Sequence, residues 1–244
     1  MKGLLDAVIF DWGGTLSVHP DGDLDDLWRH AASVLDPRRG DELTAVLAGI
    51  EAATWRRVAE DQRSSTLDEI LDEACRVTGL DVRAAAREQA NAAHLDGWTP
   101  HIRHVPDAVP VLQELRDAGY RCGLLSNTHW PRRFHQHFLD RDGLSPHLDA
   151  TVYTSELPHT KPHPSAFKAV LHLLDVPDAR RAVFVGDRLV DDIHGASQMG
   201  MRTALMPNPA ARWPSGTVVK PSEVWPDAEL ASLAELPRWV ADWS

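Results

Sequence analysis

The sequence predicts an α/β fold in which a parallel β-sheet is interrupted, after its first strand, by a helical subdomain. In the second half of the chain, strand-length apolar runs alternate with helix-length segments, a pattern typical of βαβ units with parallel strands. Residues 20–98 instead show apolar residues only at helical spacing, and they follow a single apolar run at 5–11. We therefore expect residues 1–16 and 100–244 to form the α/β core and residues 17–99 to form a helical cap.

The first strand is predicted over residues 5–11 because this short apolar run is followed by a Gly-Gly pair. Turn signals then divide residues 20–98 into about four helices. Each of these segments carries an apolar stripe, which suits helices that pack on one another. The turn signals are Asp36-Pro37, Ser64-Ser65 and Gly79.

The rest of the predicted core alternates between helices and strands. The helices are predicted over residues 107–118, 131–139, 164–174 and 190–199. The strands are predicted over residues 121–126, 150–154, 182–186 and 202–206. Residues 207–221 predict a loop because they are rich in Pro, Asn and Ser, and a short strand near 226–230 and a last helix follow.

Composition limits the classes of function. The chain has 244 residues, with 25 Lys and Arg against 36 Asp and Glu and a formal net charge of −11. This balance argues against a general nucleic-acid binder, which needs a basic face. No apolar stretch has the length of a membrane span, and the two cysteines show no metal or disulfide spacing. We expect a soluble cytoplasmic protein and no membrane partner; its oligomeric state stays open.

Four short polar stretches lie at or near the ends of predicted core strands, where open α/β sheets bind their ligands. A carboxylate in such a place can act as a nucleophile and form an acyl-phosphate. A lysine, a hydroxyl, an amide and Mg²⁺ are suitable groups to neutralise the charge on the phosphoryl oxygens. The stretches are Asp11 to Thr15, Ser126-Asn127-Thr128, Thr160 to Pro164, and Gly186-Asp187 with Asp191-Asp192.

These residue types suggest a separate role for each group. Mg²⁺ prefers oxygen ligands, so Asp11 and Asp187 would supply carboxylates and Gly13 a backbone carbonyl. Lys161 would hold the nucleophile and the phosphoryl oxygens. Ser126 would donate a hydrogen bond to the phosphoryl group.

The four stretches, taken in order, resemble the motifs of the haloacid dehalogenase (HAD) superfamily, and the resemblance covers nearly the whole chain. The matching motifs are Asp-x-x-Gly-Thr at 11–15, Ser126 with Asn127, Lys161-Pro162, and Gly186-Asp187-x-x-x-x-Asp192. The resemblance implies a Rossmann-like parallel-sheet core, with a helical cap inserted between the first and second motifs. It also implies a hydrolase.

The resemblance assigns roles to the first three motifs. Asp11 matches the nucleophile, which is also a metal ligand, and Thr15 matches the residue that orients it. Lys161 matches the charge clamp and, with Ser126 and Asn127, the groups that bind the substrate.

The fourth motif matches the family's acidic metal site, and Mg²⁺ is the implied cofactor. Asp187 matches the acidic metal ligand and Asp192 the second acid behind it. Asp191 is the alternative for the second role, because both spacings occur in the superfamily. The carbonyl of Gly13 completes the predicted ligands.

Position 13 departs from the family pattern. Typical phosphatases of the family carry there an Asp that protonates the leaving group, whereas this chain carries Gly13. Losing an acid of this kind typically costs ~10²–10⁴-fold in rate, and poor leaving groups such as alkoxides suffer most. His129 follows the second motif and is one hypothesis for a replacement acid, with His19 and His159 as weaker ones. The remaining histidine pairs, His101 with His104 and His135 with His137, are assigned to packing or surface.

The sequence thus predicts a Mg²⁺-dependent phosphatase of small phosphorylated metabolites that forms an aspartyl-phosphate at Asp11. One alternative is a 2-haloacid dehalogenase-like hydrolase, since a halide leaves without a proton. A second is a phosphonatase-like hydrolase, although residues 17–100 contain no lysine that could form its Schiff base. A third is a catalytically impaired relative that only binds metal and phosphate.

Overall fold

A computed structural model describes residues 5–20, 24–207 and 223–244. Its centre is a six-stranded parallel sheet in the order β3-β2-β1-β4-β5-β6. The predicted α/β class with a parallel sheet is therefore confirmed. The strands are β1 Ala7–Phe10, β2 Arg121–Ser126, β3 Ala150–Tyr153, β4 Ala182–Gly186, β5 Arg202–Leu205 and β6 Ala228–Glu229.

The position of β1 decides where the site lies. Its four residues are fully buried because β2 pairs with it on one side and β4 on the other. Phe10 is in register with Leu124 of β2 and with Val185 of β4. The three strands therefore end side by side, and the polar residues that follow them meet at one edge of the sheet.

Nine α-helices lie in the described part of the chain, and those predicted from the sequence are among them. The four predicted between residues 20 and 98 are α1 to α4, and the loop predicted at 207–221 lies almost wholly outside the described residues. The helices are α1 Trp28–Leu35, α2 Gly40–Asp61, α3 Leu67–Thr78, α4 Ala84–Trp98, α5 Ala108–Asp117, α6 Arg132–Arg141, α7 Pro164–Leu173, α8 Gly195–Gln198 and α9 Leu236–Asp242.

The segment predicted as one helix over 190–199 differs from expectation. It begins as a wide π-helical turn, Leu189–His194, and only then continues as the short α8. In this turn the Ile193 amide donates to the Arg188 carbonyl at 3.2 Å, one residue further back than in an α-helix. The Arg188 amide also donates to Asp192 Oδ2 at 2.9 Å. This local bond fixes the Asp192 side chain at the start of the turn.

Apolar layers cover both faces of the sheet. One layer joins sheet residues such as Phe10 to residues of the α1–α4 helices such as Leu43 and Leu71, and the other joins Ile9 to Phe167 of α7. Both cysteines are buried and unpaired. None of the described helices is long and apolar enough to cross a membrane.

The loop between α2 and α3 is hydrogen-bonded to loops at the carboxyl edge of the sheet. The Leu67 amide donates to the His129 carbonyl at 2.8 Å, and the Ser64 amide donates to the Pro158 carbonyl at 3.1 Å. At Leu67, α3 begins with a capping box formed by Thr66 and Glu69, which fixes the direction of the helix. These bonds hold α2 and α3 over the sheet edge where the predicted site residues lie.

Candidate active site

Lys161 is the centre of the polar cluster at this edge. Its Nζ lies 2.6 Å from Asp11 Oδ1, 2.7 Å from Asp192 Oδ1 and 2.9 Å from the carbonyl oxygen of Leu125. Burial lowers the pKa of this lysine, but the charges of Asp11 and Asp192 raise it, and the net shift is upward. The side chain is therefore a permanently charged ammonium group between two carboxylates.

The geometry distinguishes Asp192 from its neighbour. Asp192 is fully buried and contacts Lys161, whereas Asp191 keeps 18% of its side chain exposed and has Arg188 at 3.9 Å. Burial raises the pKa of Asp191 to about 6. Of the two acids in the fourth motif, it is Asp192 that joins the cluster.

Three carboxylates converge beside the single lysine. Asp11, Asp187 and Asp192 are buried, and each offers an oxygen within 4.8 Å of the others. Burial raises the pKa of Asp11 and of Asp192, and Lys161 offsets only part of that rise. The cluster therefore holds three acidic groups beside one ammonium group. Since its donors are all carboxylate oxygens, the set fits a hard divalent cation such as Mg²⁺.

The loop after β1 brings its backbone close to Asp187. Gly14 has φ +82°, and a Cβ there would lie 2.2 Å from Asp187 Oδ2, so only glycine fits. The loop is closed by hydrogen bonds from the Gly14 amide to the Ser17 carbonyl and from the Ser17 amide to the Trp12 carbonyl, both 2.7 Å. At Gly13, by contrast, an added Cβ would meet only His19 Cε1, at 3.7 Å. Position 13 therefore has room for a side chain.

The other predicted residues take different places around the cluster. The Thr15 hydroxyl is buried and has no hydrogen-bond partner among the described residues, so it can donate to an incoming group. Ser126, at the end of β2, is buried and lines a cavity beside Asp11. Asn127 accepts from the Lys161 amide at 2.8 Å and donates to the Lys161 carbonyl at 2.9 Å. Asn127 thus positions Lys161 with both ends of its amide.

A cavity of about 210 Å³ lies above Asp11. Its wall is mostly aromatic, and its floor holds Asp11, Gly13 and Ser126. Its other polar lining residues include Glu51 from α2 and His129 from the loop after β2. The aromatic wall consists of Trp12, Trp55, Trp98 and Trp130.

The sequence does not reveal the contacts that two residues make in or beside this site. Glu51 is one acid among many on α2, and only the fold brings it into the cavity. His104 accepts a hydrogen bond from Trp12 Nε1 at 3.1 Å, and its Nδ1 lies 2.7 Å from Asp142 Oδ2. His104 is therefore a packing residue, as expected for its pair, and it holds the Trp12 ring in the cavity wall.

Sequence comparisons support this reading of the fold. A family model described as haloacid dehalogenase-like hydrolase matches residues 5–200. A glyceraldehyde 3-phosphate phosphatase of Pyrococcus abyssi is 36% identical over 104 residues, which is 42% of this chain and 42% of that protein. A protein of the same name from Methanopyrus kandleri is 28% identical over 65% of this chain and 72% of its own length. The chain thus spans less than half of the Pyrococcus protein.

Solved structures show the same fold. A HAD phosphatase from Thermococcus onnurineus superimposes with a TM-score of 0.66 at 23% identity, covering 97% of this chain and 98% of that one. A 2-haloacid dehalogenase from Pseudomonas syringae gives 0.68 at 23% identity, covering 98% and 100%. At these identities the likeness concerns the fold alone. Because the family match spans most of its length, the chain belongs to the haloacid dehalogenase-like hydrolases.

Proposed function

We propose that this hydrolase is a Mg²⁺-dependent phosphatase of small phosphorylated metabolites that reacts through an aspartyl-phosphate at Asp11. The observation that carries the proposal is the buried ion pair between Asp11 and Lys161, 2.6 Å apart, beside two further carboxylates. When a carboxylate attacks a phosphate dianion, positive groups beside the two anions must offset their repulsion. The names of the two archaeal relatives also support a phosphorylated small-molecule substrate.

In this account the chain's own groups bind and orient the phosphoryl group. Asp11 would attack phosphorus, with Thr15 orienting it and Lys161 neutralising the phosphoryl oxygens. Ser126 would donate a hydrogen bond to the same oxygens, and a direct contact from Asn127 stays a prediction beside its positioning of Lys161.

The metal would be held by the acidic cluster. Asp11, Asp187 and Asp192 would supply carboxylate oxygens, and Gly13 would supply its carbonyl. Bound Mg²⁺ would add positive charge next to the transferring phosphoryl group.

We also propose that residues 17–99 act as a cap on a core formed by 1–16 and 100–244. Trp55 and Glu51 of α2 face the cavity above Asp11, so helices of the cap form its roof. A roof of this kind excludes water from the nucleophile, and it must open to admit a substrate.

The cavity argues against 2-haloacid dehalogenation. Such a substrate carries a carboxylate, which needs a cation nearby. Of the described residues that line the cavity, none is Arg or Lys, and Glu51 adds negative charge. The acidic cluster is a further argument, because displacement of a halide requires no cation site.

The test is to measure phosphate release from p-nitrophenyl phosphate and chloride release from 2-chloropropionate, each with Mg²⁺ and with a chelator. Nitrophenolate leaves without a proton, so the assay does not depend on an acid at position 13. The proposal predicts phosphate release that requires Mg²⁺ and no chloride release. Chloride release, or release of neither product, would refute it, and the latter would indicate a binding protein.

A further inference from the structure

His129 is a buried imidazole in the wall of the cavity that holds Asp11. Its side chain is 3% exposed. Its Nδ1 has no hydrogen-bond partner among the described residues, although an unpaired buried nitrogen is costly. The backbone carbonyl of His129 accepts from the Leu67 amide of α3 at 2.8 Å. The backbone at His129 is therefore held in place, and Nδ1 is available to a ligand.

The other ring nitrogen lies close to Glu51. His129 Nε2 lies 3.1 Å from Glu51 Oε1, and Glu51 Oε2 accepts from Trp28 Nε1 at 2.6 Å. Burial raises the pKa of Glu51, but the nearby His129 ring lowers it, and the net shift is downward. Glu51 is therefore an ionised carboxylate beside His129 Nε2, where it can orient the ring.

Other titratable groups surround His129. His94 on α4 and His135 on α6 lie nearby, and burial lowers their pKa values to about 4 and about 3, so both are neutral near neutral pH. Trp55 and Trp130 pack at ring-centre distances of 5.3 and 6.0 Å. His129 also lines a second cavity beside the start of α3. The charged groups that line the two cavities are Asp11, Glu51, Asp68, Arg132, Arg133 and Glu156.

We propose that His129, held by Glu51 from the cap, is the general acid and base that replaces the missing carboxylate at position 13. The inference rests on the proposed phosphatase function and names a residue that the family motifs do not contain. Since Glu51 lies on α2 and His129 follows β2, the pair forms only when the helices cover the sheet edge. Proton transfer is thereby tied to the closed state.

The chemical steps balance as follows. Asp11 attacks phosphorus while the P–O ester bond breaks, its electron pair passes to the ester oxygen, and that oxygen takes the proton from His129 Nδ1. The alcohol leaves, and His129 is neutral. Water then attacks phosphorus and gives one proton to Nδ1, while the bond between phosphorus and the Asp11 oxygen breaks and its electron pair returns to the carboxylate. Phosphate leaves, and the enzyme has its original protonation state.

The experiment compares benzyl phosphate, whose alkoxide leaving group needs a proton, with p-nitrophenyl phosphate, whose leaving group does not. For His129→Gln we expect kcat/KM to fall ~10²–10⁴-fold on benzyl phosphate and less than about tenfold on p-nitrophenyl phosphate. The control His137→Gln changes an exposed residue of α6 and leaves both rates unchanged. Equal losses on the two substrates, or no loss on either, would overturn the inference.

Glu51→Gln is the second variant, and it keeps a side-chain oxygen for Trp28 Nε1. We expect kcat/KM to fall about tenfold more on benzyl phosphate than on p-nitrophenyl phosphate, because His129 loses the carboxylate that orients it for proton transfer. A purely structural role for Glu51 would lower kcat/KM on both substrates alike. Gly13→Asp in the His129→Gln background should restore benzyl phosphate turnover, since the space at position 13 is open.

The outcomes separate this inference from the proposed function. Wild-type enzyme that hydrolyses p-nitrophenyl phosphate but not benzyl phosphate has no acid, which refutes the inference and leaves the phosphatase intact. Wild-type enzyme that hydrolyses neither refutes both. A loss confined to benzyl phosphate in His19→Gln, but absent in His129→Gln, would assign the proton to His19 and overturn the inference.

Discussion

The ammonium group of Lys161 lies 2.6 Å from Oδ1 of Asp11, and both side chains are buried. Asp11 follows the central strand β1, and the second carboxylate on Lys161, Asp192, lies in the π-helical turn after β4. One ammonium group thus joins two segments that the sheet brings side by side. Removing the ammonium group would leave buried carboxylates without a partner. This costs more stability than replacing all members of a buried ion pair with apolar residues.

Lys161→Met should therefore affect both stability and activity. We expect the free energy of unfolding to fall by about 3 kcal/mol and phosphate release to fall at least ~10²-fold. Urea unfolding and p-nitrophenyl phosphate hydrolysis measure the two effects. Lys168→Met, on the exposed face of α7, is the matched control. A Lys161→Met protein as stable and active as that control would contradict the assigned role.

Mg²⁺ should stabilise the folded protein without any substrate. At 100-fold excess over its Kd, a ligand of the folded state adds about 2.7 kcal/mol, which for a chain of this size corresponds to a rise in Tm of ~5–10 °C. Asp187→Asn should abolish the rise, whereas Asp117→Asn, an exposed position on α5, should retain it. If Mg²⁺ raised the Tm of Asp187→Asn as much as that of wild type, the ion would bind elsewhere.

Gly14→Ala should remove activity through a clash rather than through strain alone. Its φ of +82° disfavours alanine by roughly 1–2 kcal/mol, and the new Cβ would lie 2.2 Å from Asp187 Oδ2. Gly119 has φ +93° but no atom within 4 Å of an added Cβ. We expect Gly119→Ala to lose some stability and keep its phosphatase rate. Equal rates in the two variants would show that the close approach at Gly14 has no role.

Buried neutral histidines should make the protein sensitive to acid. Burial lowers the pKa of His135 to about 3 and of His94 to about 4, from 6.5. Below about pH 6.5 the unfolded chain binds protons that the folded chain does not. The free energy of unfolding therefore decreases as the pH is lowered, by up to about 2 kcal/mol per histidine by pH 5. His135→Phe should lose less stability than wild type between about pH 7 and pH 5 in urea titrations. His137→Asn should behave like wild type, and a His135→Phe protein that did so too would contradict the account.

Much of the fold was predictable because its signals are local. Strands β2 and β4 have the predicted bounds, since short apolar runs between turn residues define a buried strand. The convergence of Asp11 and Lys161 followed from the family motifs. The π-helical turn was not predictable, because sequence periodicity cannot distinguish it from a regular helix.

The contacts above Asp11 were harder to predict from the sequence. Glu51 lies in the middle of a long helix whose other acids face solvent, so its burial against His129 depends on how α2 lies over the sheet edge. His104 likewise gains its role only from the approach of Trp12 and Asp142. Pairs so distant in sequence leave no pattern that periodicity or spacing can detect.

The most direct test of the central claim is to quench wild type and Asp11→Asn with acid during turnover of p-nitrophenyl phosphate and to examine their peptides by mass spectrometry. The account predicts one phosphoryl group on Asp11 of the wild type when Mg²⁺ is present. It also predicts neither phosphoryl group nor turnover in Asp11→Asn. Hydrolysis that continues in Asp11→Asn at the wild-type rate would contradict the account, because another group would then carry the reaction.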